Sequence, residues 1–96
     1  MTLHCLYAGA PSQAAQRLLN QATPGDAIVL LGDAVELAAS NQDWNTQPEQ
    51  HGIALYALKP DLQAAGVATV ASSVTPIDYT QWVDLAVAHR NQRLWR

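Results

Sequence analysis

Phenylalanine is absent from this sequence, cysteine and methionine occur once each, and lysine and arginine together number only five. A single thiol cannot close an intramolecular disulfide, so the chain must rely on its core for stability, as in a reducing compartment. Five cations against eight acids, a net charge of −3, leave no clustered basic footprint of the kind that neutralises phosphates. Direct binding of nucleic acid is therefore not expected. The longest uninterrupted apolar run, Ile53 to Leu58, falls far short of the roughly 20 residues that span a bilayer. Met1 to Tyr7 lacks the basic lead, apolar run and cleavage site of a secretory leader, so a cytoplasmic protein with no membrane segment is expected.

Charge of either sign is scarce. Only 14% of residues are charged, against roughly 25% in an average soluble domain. The hydrophobic share of 49% is ordinary, so neutral residues, notably alanine and glutamine, have replaced charged ones. A surface of that kind suits a subunit buried in an assembly. The cations are also uneven, with Arg90, Arg93 and Arg96 in the last seven residues and Arg17 and Lys59 elsewhere. This basic tail reads either as a docking segment or as a solvated helix end that complements the helix dipole.

The 96 residues suffice for one domain, residues 1–96, which buries roughly 65% of its unfolded surface. Leu3 to Tyr7 is rich in large side chains and stops at Gly9-Ala10-Pro11, as a buried strand does at a turn. Ser12 is placed to cap a helix whose Ala14, Ala15, Leu18, Leu19 and Ala22 share one face before Pro24-Gly25. Asp26 to Leu31 is continuously apolar after its first residue, which predicts a central parallel strand covered on both faces. Asp33 and Glu36 have the spacing of an N-cap and its N3 partner, predicting a short helix through Val35 and Leu37.

Ser40 to Gln50 turns polar around Trp44 and is expected to be the longest loop. Gly52 opens a third strand, Ile53 to Leu58, and Pro60 and Gly66 bracket a short helix over about residues 60–65. Val67 to Val74 predicts a weak fourth strand, limited by Pro76. Asp78 and Gln81 form a second cap pair, and Tyr79, Trp82, Val83, Ala86 and Val87 fall on one face of the last helix. Strands and helices alternating in this way predict an α/β fold, a small three-layer Rossmann-like or flavodoxin-like domain. Its sheet of four to five strands would be mostly parallel, with helices on both faces and right-handed connections.

The residues offer little chemistry of their own. Gly9-Ala10-Pro11-Ser12 supplies one glycine where a dinucleotide fingerprint needs several, and Gly32-Asp33 presents a carboxylate where phosphate would sit. No nucleotide cofactor is expected. His4, His51 and His89 have no paired ligand spacing, so no metal site is expected either. They read instead as a satisfied strand residue, a loop residue and a residue at a helix C-terminus. Cys5 lies mid-strand, where a buried thiol is ordinary, and is only a weak catalytic candidate. Trp44, in a polar loop, Trp82, on the last helix, and Arg93 and Trp95, in the tail, are candidates for a partner interface, because tryptophan and arginine concentrate at binding hot spots. Local packing of each ring is the alternative.

The segment Ile77-Asp78-Tyr79-Thr80-Gln81-Trp82-Val83-Asp84-Leu85-Ala86-Val87-Ala88-His89, followed by Asn91-Gln92 and Leu94-Trp95, resembles the C-terminus of the TusB/DsrH family of sulfur-relay subunits. Gly25-Asp26 with Leu31-Gly32-Asp33-Ala34-Val35, and Leu55-Tyr56-Ala57-Leu58 with Asp61-Leu62 and Gly66, resemble that family in the same order, as does His4. The resemblance covers about half of the chain and implies a DsrE/F/H-type α/β fold. It also implies a place beside TusC-like and TusD-like, or DsrF-like and DsrE-like, subunits in a heterohexamer, with a homo-oligomer as the state of the isolated chain.

In the Tus case such a complex relays persulfide sulfur for 2-thiolation of the tRNA wobble uridine. In the Dsr case it serves sulfur oxidation. The sulfur-carrying paralogue places its cysteine just after the third strand, where this chain reads Ala57-Leu58-Lys59-Pro60. The implied role is therefore non-catalytic, and the absence of cysteine between Ser12 and Ala22 favours the Tus-type role. A sulfurtransferase using Cys5 and a small-ligand module working at the strand ends are the rival readings.

Overall fold

A computed structural model describes residues 1–7 and 13–95. Five strands are present: β1 (Thr2–Leu6), β2 (Ala27–Leu30), β3 (Ala54–Leu58), β4 (Val74–Ile77) and β5 (Asn91–Trp95). The α-helices are α1 (Gln13–Gln21), α2 (Thr46–Gln50), α3 (Lys59–Ala64) and α4 (Tyr79–Ala88), and a 3-10 helix spans Gly32–Ala38. The strands form one sheet in the order β4-β3-β2-β1-β5, and every pairing is parallel. The expected α/β layering is thus realised, with a fully parallel sheet.

The connections decide which face each helix covers. From β1 to β4 the chain steps one strand at a time in a single direction, and right-handed crossovers keep those helices on one face. Leu18 of α1, Val35 and Leu37 of the 3-10 helix and Leu62 of α3 accordingly share a core with Leu6, Ile28, Leu30, Leu55 and Trp95 of the sheet. The chain then reverses, from β4 at one edge to β5 at the other. The same handedness puts α4 on the opposite face, where Trp82, Leu85 and Ala86 pack on Leu3, Cys5, Val29, Leu58 and Ile77. β2, with neighbours on both sides and cover above and below, has all four residues buried, as its unbroken apolar run predicts.

Local rules hold at several ends. Asp78 Oδ1 accepts from the Gln81 backbone N–H at 2.8 Å and Gln81 Oε1 accepts from the Asp78 N–H at 2.9 Å, the expected capping box. Gly66 has φ +73° just past α3, the left-handed turn that ends a helix most cheaply in glycine. Elsewhere the structure differs. Asp33 caps nothing: the 3-10 helix begins after Leu31 with no side-chain cap bond. The expected loop Ser40–Gln50 contains α2, with Pro48 buried. The fourth strand runs over Val74–Ile77 rather than Val67–Val74, with Pro76 inside it. Proline is tolerated there because β4 is an edge strand. Asn91–Trp95 of the basic tail is the strand β5, paired with β1, rather than a helix end, and Arg96 lies outside the described residues. The expected Ser12 cap lies outside the described residues.

Candidate functional site

The end of β3 is where the resemblance places sulfur chemistry. β3 ends at Leu58 and α3 begins at once with Lys59 and Pro60, so no thiol stands at this rim. The neighbouring strand end is closed by a local bond: the Gly32 N–H donates to Asp61 Oδ2 at 2.8 Å. That donor, which could otherwise serve an anion, is occupied by a carboxylate of the chain itself. The depression beside it, of about 170 Å³, is lined by Gly32, Asp33, Asp61, Ala64 and Ala65, and its two acids repel phosphate. The other half of the rim, at Gly9–Ser12, lies outside the described residues.

Cys5 sits in the middle of β1, paired with Val29 and Leu94, and is 9% exposed. Burial pushes its thiol up from the ordinary range, and the Trp82 indole beside it opposes that shift without overcoming it. The side chain is therefore a protonated thiol at neutral pH, the opposite of the electropositive, partly exposed setting that activates a sulfur nucleophile.

The interface candidates separate. Trp44 is buried, and its Nε1–H donates to the Ala15 carbonyl of α1 at 3.2 Å. Trp95 is 7% exposed, and its Nε1–H reaches His4 Nδ1 at 3.0 Å. Both rings pack on their own domain and are not displayed. Arg93 is exposed on β5; its guanidinium lies 4.5 Å from the centroid of the Trp95 ring and donates to Gln21 Oε1 of α1 at 2.6 Å. Trp82 is half-buried on α4, packed against the sheet.

Two polar residues of structural weight carry no motif. Asn45, 1% exposed, donates through Nδ2 to the Leu37 and Ala39 carbonyls at 2.8 and 2.9 Å, which pins the Ser40–Gln50 segment over the 3-10 helix. Asp26, 5% exposed, accepts from His4 Nε2 at 2.9 Å, from the Thr2 N–H at 2.9 Å and from the Thr23 N–H at 3.0 Å. Its burial alone would raise the carboxyl, but the His4 bond and the backbone bonds from Thr23 and Thr2 outweigh it and hold the group at about 2. His4 was expected to be a satisfied strand residue, and it is, through the side chains of Asp26 and Trp95. His89 lies at the C-terminus of α4 with Nδ1 2.8 Å from the Leu85 carbonyl, and His51 follows α2 at the surface. Among the described residues no group of three or more His, Cys, Asp and Glu is arranged to hold a metal ion, and no helix is long and apolar enough to cross a membrane.

The remaining surface of note is α4. None of its residues is fully buried, and Tyr79, Val83 and Val87 are 57%, 59% and 82% exposed, with Leu94 of β5 at 55%. Leu94 pairs with Cys5 and so lies on the α4 face of the sheet. Five strands about 4.8 Å apart make a sheet roughly 20 Å across, while a helix with its side chains is about 10–12 Å wide. One helix therefore covers only about half of this face, and shallow grooves flank it on both sides, one lined by Trp82, Val83, Ala86 and Gln92, the other by Tyr56, Thr75, Ile77 and Leu85 among others.

Residues 10–92 match the protein family described as DsrH like protein. The chain is 36% identical over 94 residues to Protein TusB of Salmonella arizonae, covering 97% of this chain and 99% of that one. It is 37% identical over 93 residues to Protein TusB of Salmonella paratyphi B, covering 96% and 94%. Among solved structures, the ychN protein from E. coli superposes with a TM-score of 0.70 over 98% of both chains at 12% identity, a likeness of fold alone.

Proposed function

The chain belongs to the DsrH-like family of sulfur-relay subunits, and from that premise we propose that it is a non-catalytic subunit of a TusBCD-type complex, supporting persulfide transfer for 2-thiolation of the tRNA wobble uridine in the cytoplasm. The observation that carries this reading is the thiol-free end of β3, where Lys59 and Pro60 occupy the sulfur-carrying position, together with the burial of the one cysteine within β1. The near-full-length similarity to proteins named TusB supports the Tus-type role over the Dsr-type one.

A chain without sulfur chemistry of its own contributes by completing the assembly. Its partners are TusC-like and TusD-like subunits, and the surface it offers them is the outward side of α4 with Leu94. Those side chains are apolar and exposed, and the low charge of the whole chain fits burial between relatives. Trp82, half-buried at the base of α4, stiffens that surface from beneath.

Co-expression with TusC-like and TusD-like chains, followed by native mass measurement and a wobble-uridine thiolation assay, tests the proposal. All three chains should purify as one complex, and Cys5→Ser should leave thiolation at the wild-type level. Recovery of the other two chains as an active complex without this one would overturn it. Loss of thiolation in a Cys5→Ser complex of normal mass would instead assign the sulfur chemistry to this chain.

A further inference from the structure

Both nitrogens of the buried His4 ring are committed, and the partners dictate which carries the proton. An indole N–H can only donate and a carboxylate can only accept. Trp95 Nε1 lies 3.0 Å from His4 Nδ1, so Nδ1 holds the lone pair; Asp26 Oδ2 lies 2.9 Å from Nε2, so Nε2 holds the hydrogen. The geometry thus selects the neutral Nε2–H form. A second proton has one place to go, Nδ1, where the indole N–H already points. Two donors would then face each other at 3.0 Å, and the indole has no lone pair to turn toward the ring.

We infer that His4 is an acid-released latch that holds Trp95, and through it the edge strand β5, against the sheet. Trp95 is the only buried residue of β5, whose other four residues are exposed, so its ring is the strand's main side-chain anchor. The charged surroundings favour release in one direction. From β2, Asp26 stabilises an added proton on His4. From β5, Arg93 lies beyond the Trp95 ring with its guanidinium 4.5 Å from the centroid and leaves with that ring. α1 presents the buried Ala14, Ala15 and Leu18 to this core, with Arg17 exposed, and Cys5, next in β1, lies on the opposite face. Protonation therefore exchanges the Trp95 bond for a charged His4–Asp26 pair. That loosens the end of β5 and raises about tenfold the openings in which the β1 edge can pair with another strand.

The test is NMR on the full-length ¹⁵N-labelled chain. Imidazole ¹⁵N shifts should report the Nε2–H form near neutral pH. As His4 takes up its proton on acidification, the Trp95 indole resonance should move with it, and amide-exchange protection across β5 should fall by about tenfold, the equivalent of one hydrogen bond's net stabilisation. In Trp95→Phe, which keeps an aromatic ring but removes the N–H, β5 protection should no longer follow the state of His4. The inference is overturned by an Nδ1–H form at neutral pH, by unchanged β5 protection across the His4 titration, by the same dependence in Trp95→Phe, or by a His4 that stays neutral until the whole chain unfolds.

Discussion

The Asp26→Asn substitution probes the interaction that ties the first strand to the second. The change is nearly isosteric, so packing is preserved and the effect is electrostatic. Asp26 accepts three hydrogen bonds, from His4, Thr2 and Thr23, whereas an amide offers one oxygen and one NH₂ group. With the amide in its better orientation, at least one buried donor faces another donor, at a cost of about 1–3 kcal/mol. The carboxyl's displacement from 3.8 to about 2 corresponds to roughly 2 kcal/mol of native-state stabilisation, an overlapping measure of the same bonds. The expected loss near pH 7 is about 3 kcal/mol. That is a large share of the roughly 5–14 kcal/mol that holds a domain of this size together, and it lowers Tm by about 12–24 °C.

Urea unfolding followed by circular dichroism measures this, and pH supplies an internal control. Asp26 has a folded value below its unfolded one, so its contribution is complete above about pH 4 and is lost as the pH falls toward about 2. The gap between wild type and Asp26→Asn should therefore narrow over that window. A loss below about 1 kcal/mol near pH 7, or a gap that is constant as the carboxyl titrates, would refute the reasoning.

Three further outcomes follow from the same structure. Trp44→Phe removes the indole bond to Ala15 and should cost about 1 kcal/mol, whereas Trp44→Ala also opens a cavity and should cost about 3–5 kcal/mol, both read by chemical unfolding. The Cys5 thiol, buried and held protonated, should react with Ellman's reagent only once denaturant opens the fold; prompt labelling of the native chain would contradict its placement. Val87→Glu, at the most exposed large hydrophobic side chain of α4, should change stability by less than about 0.5 kcal/mol yet weaken co-purification with the proposed TusC-like and TusD-like partners by about tenfold or more, the cost of burying an unpaired charge at an interface.

What the sequence determined alone was local. An unbroken apolar run such as Ala27–Leu30 suits a strand covered on both sides, the Asp78/Gln81 pair closes a capping box at the start of α4, and Gly66 ends α3, because each of these effects acts within a few residues of the chain, although the same spacing at Asp33 and Glu36 makes no cap. The absence of a thiol at Lys59-Pro60 was equally legible, since it needs only the end of β3 to be located. The order of strands was not. That Asn91–Trp95 is a strand, exposed at four of its five residues, follows from a free β1 edge waiting on the far side of the sheet, and no property of those residues announces it. Trp44 and Trp95 looked like display residues because one stands in a polar loop and the other in the tail, yet each indole finds its acceptor at a distance, in Ala15 and His4. Asp26 stood only as the first residue of the predicted second strand until the fold brought Thr2 and His4 onto it. Hydrogen-bond partners separated by 22 to 91 residues are chosen by topology, and only the tertiary structure could decide them.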